Sequence, residues 1–88
     1  MARVKMYTTS SCPYCINAER LLLSKGVKDI TKIRVDLEPE LRLEMMELTG
    51  RRTVPQIYID EFHVGGFEEL RQLDLKGSLD QLLFKTAM

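Results

Sequence analysis

The sequence has no excess of charge of either sign, because its 13 Lys and Arg residues balance its 13 Asp and Glu residues. Nucleic-acid-binding modules normally carry a basic excess, and polybasic membrane patches need clustered positive charge. Neither partner is therefore expected. Apolar runs are also short: none approaches the roughly 18 residues of a transmembrane helix. Residues 1–7 alternate polar and apolar side chains, whereas a signal peptide needs an apolar core. These absences predict a cytoplasmic protein.

Cysteine and histidine, the usual ligands of structural zinc, are equally scarce, since Cys12 and Cys15 are the only cysteines and His63 is the only histidine. A structural zinc site takes four ligands, so no metal site is expected. Haem attachment requires a histidine directly after the second cysteine, where this sequence has Ile16. A purely structural disulfide is uncommon in the cytosol. The two thiols are therefore predicted to close and reopen a disulfide during catalysis.

The 88 residues suffice for one domain, predicted over 1–88, with an alternating α/β pattern. Period-two alternation predicts strands at 4–8, 31–36, 56–60 and 62–64. Helical periodicity, with prolines at starts and glycines at ends, predicts helices at 13–25, 39–49, 67–76 and from 78 onward. The first strand–helix–strand unit favours a parallel pair, and the last two strands favour a hairpin. A mixed four-stranded sheet between helices follows.

Side-chain expectations accompany the second helix and the hairpin. The helix is expected to pack through one apolar stripe, formed by Leu37, Leu41, Met45 and Leu48. Its acidic series is expected to be a solvated face, formed by Glu38, Glu40, Glu44 and Glu47. The hairpin turn at 60–61 lacks the glycine that favoured two-residue turns carry at their second position. His63, on the hairpin, is expected to be solvated.

Cys12 is predicted to occupy the N-cap of the first helix, with Pro13 as its first helical residue. The unpaired N–H groups and the positive dipole end at that place favour negative charge on the sulfur. The thiolate is the form of cysteine that attacks a disulfide. Cys15 lies one helical turn further along, more buried and beside Cys12. The pattern therefore assigns Cys12 as the nucleophile and Cys15 as the resolving thiol.

The segment Thr53-Val54-Pro55 precedes the third strand. With a cis Val54–Pro55 bond, the backbone N–H and C=O of Val54 would face outward and pair with an extended peptide. A trans proline is the commoner state of an X–Pro bond taken alone. A Cys-x-x-Cys motif at the end of a strand, opening a helix, favours the cis form here. The sequence therefore predicts a peptide-binding backbone at Val54.

The segment Gly65-Gly66-Phe67-Glu68-Glu69 connects the fourth strand to the third helix. Two glycines permit positive φ and close backbone approach, and the N–H groups at a helix start bind a carboxylate. Glu68 and Glu69 would accept from an ammonium group, so the segment suits the head group of an α-amino acid. An ordinary strand-to-helix connection explains the same residues, and both interpretations stay open.

Together these motifs resemble those of dithiol glutaredoxins, and of small bacterial members most. They are Cys12-Pro13-Tyr14-Cys15, Thr53-Val54-Pro55-Gln56-Ile57-Tyr58-Ile59-Asp60 and Gly65-Gly66, and the resemblance covers essentially the whole chain. It implies a thioredoxin-like α/β fold, in which helices flank a mixed four-stranded sheet. The implied strand order is 2-1-3-4, with strand 3 antiparallel to strand 1.

The resemblance also implies glutathione as co-substrate, with no bound cofactor. The cysteine of glutathione would bond to Cys12, and its backbone would pair with Val54. Arg51 would attract its glycine carboxylate, and the adjacent Arg52 would share that contact. The implied glutathione-binding residues are Tyr14, Arg51, Thr53, Val54, Pro55, Gly66, Phe67 and Glu68. Two positions depart from the family pattern: Thr9 replaces a common Lys, and Glu68 replaces the usual Asp or Ser.

By this resemblance the chain is a monomeric glutathione-disulfide oxidoreductase that reduces protein disulfides and glutathione mixed disulfides. NADPH and glutathione reductase would supply the electrons. Two alternatives stay open: a redoxin that is reduced by thioredoxin reductase and serves ribonucleotide reductase, and an iron–sulfur cluster carrier. Arg51, Gly66 and Phe67 argue against the first. Pro13 argues against the second, because cluster-binding relatives usually have Gly or Ser there.

Overall fold

The structure is a computed structural model that describes residues 2–84, while Met1 and residues 85–88 lie outside the described part. Its elements are, in chain order, β1 (Val4–Thr8), α1 (Pro13–Ser24), β2 (Ile30–Arg34), α2 (Pro39–Thr49), β3 (Gln56–Ile59), β4 (Phe62–Gly65), α3 (Phe67–Leu75) and α4 (Ser78–Phe84). Every predicted strand and helix is present, and the alternation of the first three strands with helices is confirmed.

The four strands form a mixed sheet in the order β2-β1-β3-β4. β1 pairs with β2 in parallel, with Val4 opposite Ile30. It pairs with β3 in the antiparallel sense, with Met6 opposite Ile57, and β3 and β4 form an antiparallel hairpin. The order and directions confirm the expected fold. Because α1 follows β1 directly, the Cys-x-x-Cys motif lies at the carboxyl end of the central strand.

Strand β1 is shielded on both faces of the sheet. On one face, Val4 and Met6 belong to the main core cluster. The helices on that face contribute Ala18, Leu22, Leu70, Leu79 and Leu83 to it. On the other face, Tyr7 packs with Val35 and with Met45 of α2. Helices on both faces therefore bury the strand that leads into the cysteine motif, as in other α/β sheets.

The alternating pattern of β1 contains a fully buried tyrosine. The Tyr7 hydroxyl donates to the Glu44 carboxylate at 3.1 Å. Burial raises the pKa of Tyr7 to about 12, and the hydrogen bond and charge of Glu44 add to that effect. The acidic face of α2 is solvated as expected, but Glu44 also ties the helix to the sheet.

The expected apolar stripe of α2 is wrong at both ends, because Leu37 and Leu48 are exposed. Leu37 lies in the turn before the helix begins. The contact with the sheet is made instead by Met45, with Leu41 and Met46 beside it. At 3.6 residues per turn these three side chains span an arc that leaves Leu48 outside it.

Strand β2 begins and ends earlier than predicted, since Val35 and Asp36 fall in a turn. The Val35 N–H still donates to the Thr8 carbonyl of β1 at 3.0 Å, and the Val35 side chain is buried, as it would be within a strand. The Asp36 carboxylate accepts from the Arg34 side chain at 2.8 Å and from the Ser10 N–H at 3.3 Å. These bonds turn the chain away from the sheet after Arg34.

The hairpin turn at 60–61 forms without glycine. Asp60 adopts a left-handed φ of 54°, which Asp tolerates better than most side chains. Its carboxylate accepts from the Arg3 N–H at 3.0 Å, and its own N–H donates to the Arg3 carbonyl at 2.8 Å. The two bonds fasten the turn to the start of β1.

Candidate active site around Cys12

Cys12 is the N-cap residue of α1, at the point where the chain leaves β1 for the helix. Its backbone is extended, and Pro13 begins the helix as predicted. The Cys15 N–H donates to the Cys12 Sγ at 3.1 Å, and the Cys12 thiol donates to the Val54 carbonyl oxygen at 3.7 Å. Cys12 is 8% exposed. The helix N–H groups are therefore placed to stabilise a negative sulfur there.

Cys15 lies one turn further into α1 and is 2% exposed. Burial raises the pKa of the Cys15 thiol to about 11, and the hydrogen bond with Cys12 adds to the rise. The Thr8 hydroxyl and the Thr9 backbone act in the opposite direction. At neutral pH Cys15 is therefore held as a thiol. The two sulfurs have different environments, one at the helix end and one inside the core.

The segment Thr53-Val54-Pro55 lies against Cys12 and contains a cis Val54–Pro55 bond, as predicted. Gln56, which is fully buried, holds this segment from the sheet. The Gln56 Nε2 donates to the Thr53 carbonyl at 2.9 Å. A buried side-chain amide needs hydrogen-bond partners for both its nitrogen and its oxygen. The Gln56 Oε1 has such a partner, since it lies 2.8 Å from an imidazole nitrogen of β4.

That imidazole belongs to His63, so the expectation of a solvated His63 is wrong. Its Nε2 pairs with Gln56, and its ring stacks on Tyr58 with the ring centres 5.0 Å apart. Burial lowers the pKa of His63, and the charge of Arg51 lowers it further. A neutral imidazole therefore supports the Thr53–Pro55 segment from behind. The sequence feature that could have indicated a partner for His63 is Gln56, at the start of an otherwise apolar strand, because a buried amide needs a hydrogen-bond partner.

The connection from β4 to α3 is built around the Glu69 side chain. Its Oε1 accepts from the Gly66 N–H at 2.6 Å and lies 3.2 Å from the Arg51 Nη1. The Gly66 hydrogen bond lowers the pKa of Glu69, and Arg51 contributes to that effect. A Cβ on Gly65, whose φ is +110°, would come within 2.8 Å of the same oxygen. A side chain at position 65 would therefore displace Glu69.

The neighbouring acid, Glu68, lies in a different place. Its carboxylate is 3.1 Å from Arg71 on the exposed side of α3. Glu69 reaches back over the glycines because the third residue of a helix faces its N-cap, which here is Gly66. The spacing of three residues from the N-cap is the sequence signal that distinguishes the two acids. Sequence reasoning placed both acids near an ammonium group and counted only Glu68 among the glutathione-binding residues.

Tyr14 lies between the two cysteines in the sequence, and its ring lies near that of Phe67. Tyr14 is 61% exposed, and its ring centre lies 6.4 Å from that of Phe67. The rings thus connect the start of α1 with the start of α3. Arg51 and Arg52 precede Thr53 and are both exposed. Positive charge therefore adjoins in sequence the segment whose Val54 carbonyl contacts Cys12.

Residues 2–84 show neither a cluster of metal-ligating side chains nor a membrane-spanning helix. These residues contain no group of three or more His, Cys, Asp and Glu side chains that could hold a metal ion. No helix among them is long and apolar enough to cross a membrane.

Comparison with known sequences gives one family. Residues 4–64 match the family model described as glutaredoxin. A glutaredoxin of Neisseria meningitidis is 54% identical over 83 residues, which cover 94% of this chain and 98% of that protein. Glutaredoxin 3 of Escherichia coli is 48% identical over 83 residues, covering 94% of this chain and 99% of that protein. Each match thus extends over nearly the full length of this chain and of the relative.

Solved structures agree with the sequence matches. A glutaredoxin from Brucella melitensis superposes with a TM-score of 0.84 at 44% identity, covering 100% of this chain and 95% of that one. A buckwheat glutaredoxin in complex with glutathione superposes with a TM-score of 0.85 at 25% identity. That match covers 93% of this chain and 76% of the buckwheat chain.

Proposed function

This chain belongs to the glutaredoxin family of thiol–disulfide oxidoreductases, and we propose that glutathione is the co-substrate that reduces it. The observation that carries the proposal is the approach of the Cys12 sulfur to the Val54 carbonyl, at 3.7 Å. A tripeptide bonded through its own cysteine to Cys12 brings its backbone alongside Val54. The glutathione complex of the buckwheat relative supports the same ligand here.

In the proposed reaction Cys12 is the nucleophile. Its thiolate attacks the disulfide of a protein or of a glutathione mixed disulfide. A bond forms between Cys12 and one substrate sulfur, and the other sulfur leaves as a thiolate. The Cys15 N–H, 3.1 Å from the Cys12 sulfur, stabilises the attacking thiolate. Either Cys15 or a glutathione thiolate then attacks the Cys12 sulfur and releases the second product.

Glutathione restores the dithiol in two exchanges. The first molecule opens the Cys12–Cys15 disulfide and stays bonded to Cys12, and the second removes it as glutathione disulfide. NADPH and glutathione reductase then regenerate glutathione from glutathione disulfide. In this proposal the chain acts in the cytoplasm as a monomer. Glutaredoxin potentials of roughly −200 to −230 mV lie mostly above the glutathione poise of about −220 to −260 mV and overlap it only at its upper end, so glutathione is a sufficient reductant.

The proposed glutathione site uses backbone and apolar surface first. The Val54 N–H and C=O pair with the central residue of glutathione, held in place between Thr53 and Pro55. The N–H of Phe67, at the start of α3, receives the γ-glutamyl carboxylate. Gly66 lies beside it, and its own N–H donates to Glu69. The rings of Tyr14 and Phe67 border the ligand, and their separation of 6.4 Å supports a shared wall.

The charged contacts of the site come from both sides of Cys12. Thr9 supplies no cation, so Arg51 and Arg52 attract the glycine carboxylate. Glu68 receives the γ-glutamyl ammonium group, in competition with Arg71. That competition is weak, because the Glu68–Arg71 pair is exposed and such pairs contribute little.

The test of this function is a coupled assay on a glutathione mixed disulfide. Turnover is followed as NADPH oxidation with glutathione and glutathione reductase, and thioredoxin reductase replaces both in the comparison. Turnover only with glutathione supports the proposal. Turnover only with thioredoxin reductase contradicts it and makes the chain a redoxin of a different reductant. Cys12→Ser in both assays gives the background rate.

A further inference from the structure

The resolving step requires the buried thiol of Cys15 to lose its proton. Cys15 is 2% exposed, and burial raises the pKa of its thiol to about 11. Near neutral pH the Cys15 thiolate is therefore a minor species. Because the thiolate is the attacking species, any group that stabilises it controls the rate at which Cys15 resolves a mixed disulfide.

Thr8, the last residue of β1, is the buried hydroxyl next to Cys15. It is 5% exposed, and it lines the same cavity as Cys15, of about 200 Å³, together with Ser10, Glu19 and Lys32. Its Oγ1 donates to the Thr9 carbonyl at 3.3 Å, which is long for an O–H···O bond. A hydroxyl proton rotates about its C–O bond, so this weak bond is readily exchanged for another acceptor.

We propose that Thr8 is a positioning residue for the resolving step: its hydroxyl turns from the Thr9 carbonyl to the Cys15 sulfur when Cys15 becomes a thiolate. The inference rests on the proposed role of Cys15 as resolving thiol. The direction in which the Thr8 hydroxyl moves the pKa of Cys15, downward, agrees with such a contact.

The step balances within the site. The Cys15 proton passes to water in the cavity, whose polar lining and volume are sufficient for water. The Cys15 thiolate attacks the Cys12 sulfur, and the Cys12–Cys15 bond forms. The bond between Cys12 and the substrate sulfur breaks, and that sulfur leaves with the electron pair as a thiolate. The two cysteines are oxidised, and the substrate disulfide is reduced.

The expected effect of removing the hydroxyl is moderate. Loss of one hydrogen bond to a charged acceptor lowers the thiolate-to-thiol ratio by roughly tenfold. A more basic thiolate is also a better nucleophile, with a Brønsted slope of about 0.4–0.5, which returns part of the loss. The resolving step in Thr8→Val is therefore expected to be about threefold to fourfold slower below pH 9.

An aromatic disulfide, dithiobis-nitrobenzoate, separates the two cysteines without any glutathione. Attack by Cys12 releases one coloured thiolate in a phase whose rate depends on reagent concentration. Attack by Cys15 on the Cys12 mixed disulfide releases the second in a phase that does not depend on it. Stopped-flow absorbance of the full-length chain resolves both phases. A chain that fails to use glutathione still gives this readout, so the two proposals fail separately.

Thr8→Val is expected to slow only the second phase, and Thr8→Ser, which keeps the hydroxyl, is expected to restore it. Ser10→Ala removes another hydroxyl from the same cavity and is expected to leave both phases unchanged. An unchanged second phase in Thr8→Val overturns the proposal. So does equal slowing of both phases, or a Thr8→Ser variant as slow as Thr8→Val, because either result indicates a packing effect.

Discussion

Glu69 Oε1 lies 3.2 Å from the Arg51 guanidinium and 2.6 Å from the Gly66 N–H. One carboxylate therefore serves as counter-charge both to Arg51 and to the start of α3. In the proposed site these are the two places that attract the carboxylates of glutathione. Glu69 holds both places in position, and it also lowers the positive potential that each offers to an anion.

Glu69→Gln is expected to lower the KM for a glutathione mixed disulfide by about twofold at low salt. The amide keeps an acceptor for Gly66 but removes a charge, and an exposed ion pair is worth up to about 1 kcal/mol. The effect should shrink as salt screens it. Steady-state kinetics at two ionic strengths measure it. Glu68→Gln is the matched control and should raise KM, since it removes the proposed partner of the ammonium group. A higher KM in Glu69→Gln would show that Glu69 itself contacts the ligand.

The pattern of elements was predictable because each strand and helix has its own periodicity, and because each helix adjoins a proline or a glycine. The N-cap place of Cys12 followed from Pro13 alone. The error at Val35 has a physical cause, since its N–H continues the hydrogen bonding of β2 after the chain has turned. Period-two alternation cannot separate a strand residue from one that only shares its pairing.

The side-chain partners of the site were less predictable, because they depend on directions that a linear pattern does not contain. Glu68 and Glu69 are adjacent and chemically identical, yet the helix turns one toward Arg71 and the other toward Gly66. His63 was expected in solvent because it lies on the hairpin. Its actual partner, Gln56, lies on the opposing strand.

Cys15→Ser is expected to keep the reduction of small glutathione mixed disulfides, because glutathione itself releases the intermediate on Cys12. The same variant should lose most of its reduction of protein disulfides, which requires the second thiol. Cys12→Ser should abolish both activities. The coupled NADPH assay measures the first activity, and an insulin precipitation assay measures the second. Full activity in Cys12→Ser would contradict the assignment of the nucleophile.

Gly65→Ala is expected to destabilise the fold by about 2 kcal/mol. Part of the loss is the left-handed φ of +110°, which costs an L-residue roughly 1–2 kcal/mol. The rest is the cap, because the new Cβ displaces Glu69 from Gly66. Gly50→Ala is the control, with a φ of +69° and no atom within 4 Å. Urea unfolding should show a larger loss at position 65, and equal losses would mean that Glu69 gives way without cost.

Tyr7→Phe is expected to lower the free energy of unfolding by about 1 kcal/mol at pH 7, through the lost hydrogen bond to Glu44. The pKa of Tyr7 in the fold is about 12, above the value of about 10 for an unfolded chain. Its stabilisation is therefore complete below pH 10 and is lost as the pH rises through 12. The gap between wild type and Tyr7→Phe should narrow over that range.

Urea titrations at pH 7, 9 and 11 measure that gap. Tyr14→Phe, at an exposed tyrosine, is the control and should match the wild type in stability at pH 7. A gap that widened between pH 9 and pH 11 would contradict the assigned direction for Tyr7.

The hydrogen bond from Gln56 to the Thr53 carbonyl has a consequence for the entropy of association. When a ligand must order a loop on binding, the entropy lost by the loop makes the net binding free energy less favourable. In the proposed site the sheet already fixes the backbone along which the ligand would align, with His63 behind Gln56. The protein would then give up similar conformational freedom for every disulfide that it receives. We therefore expect selectivity among substrates to reside in the residues that surround their disulfides and in the charges at Arg51 and Arg52.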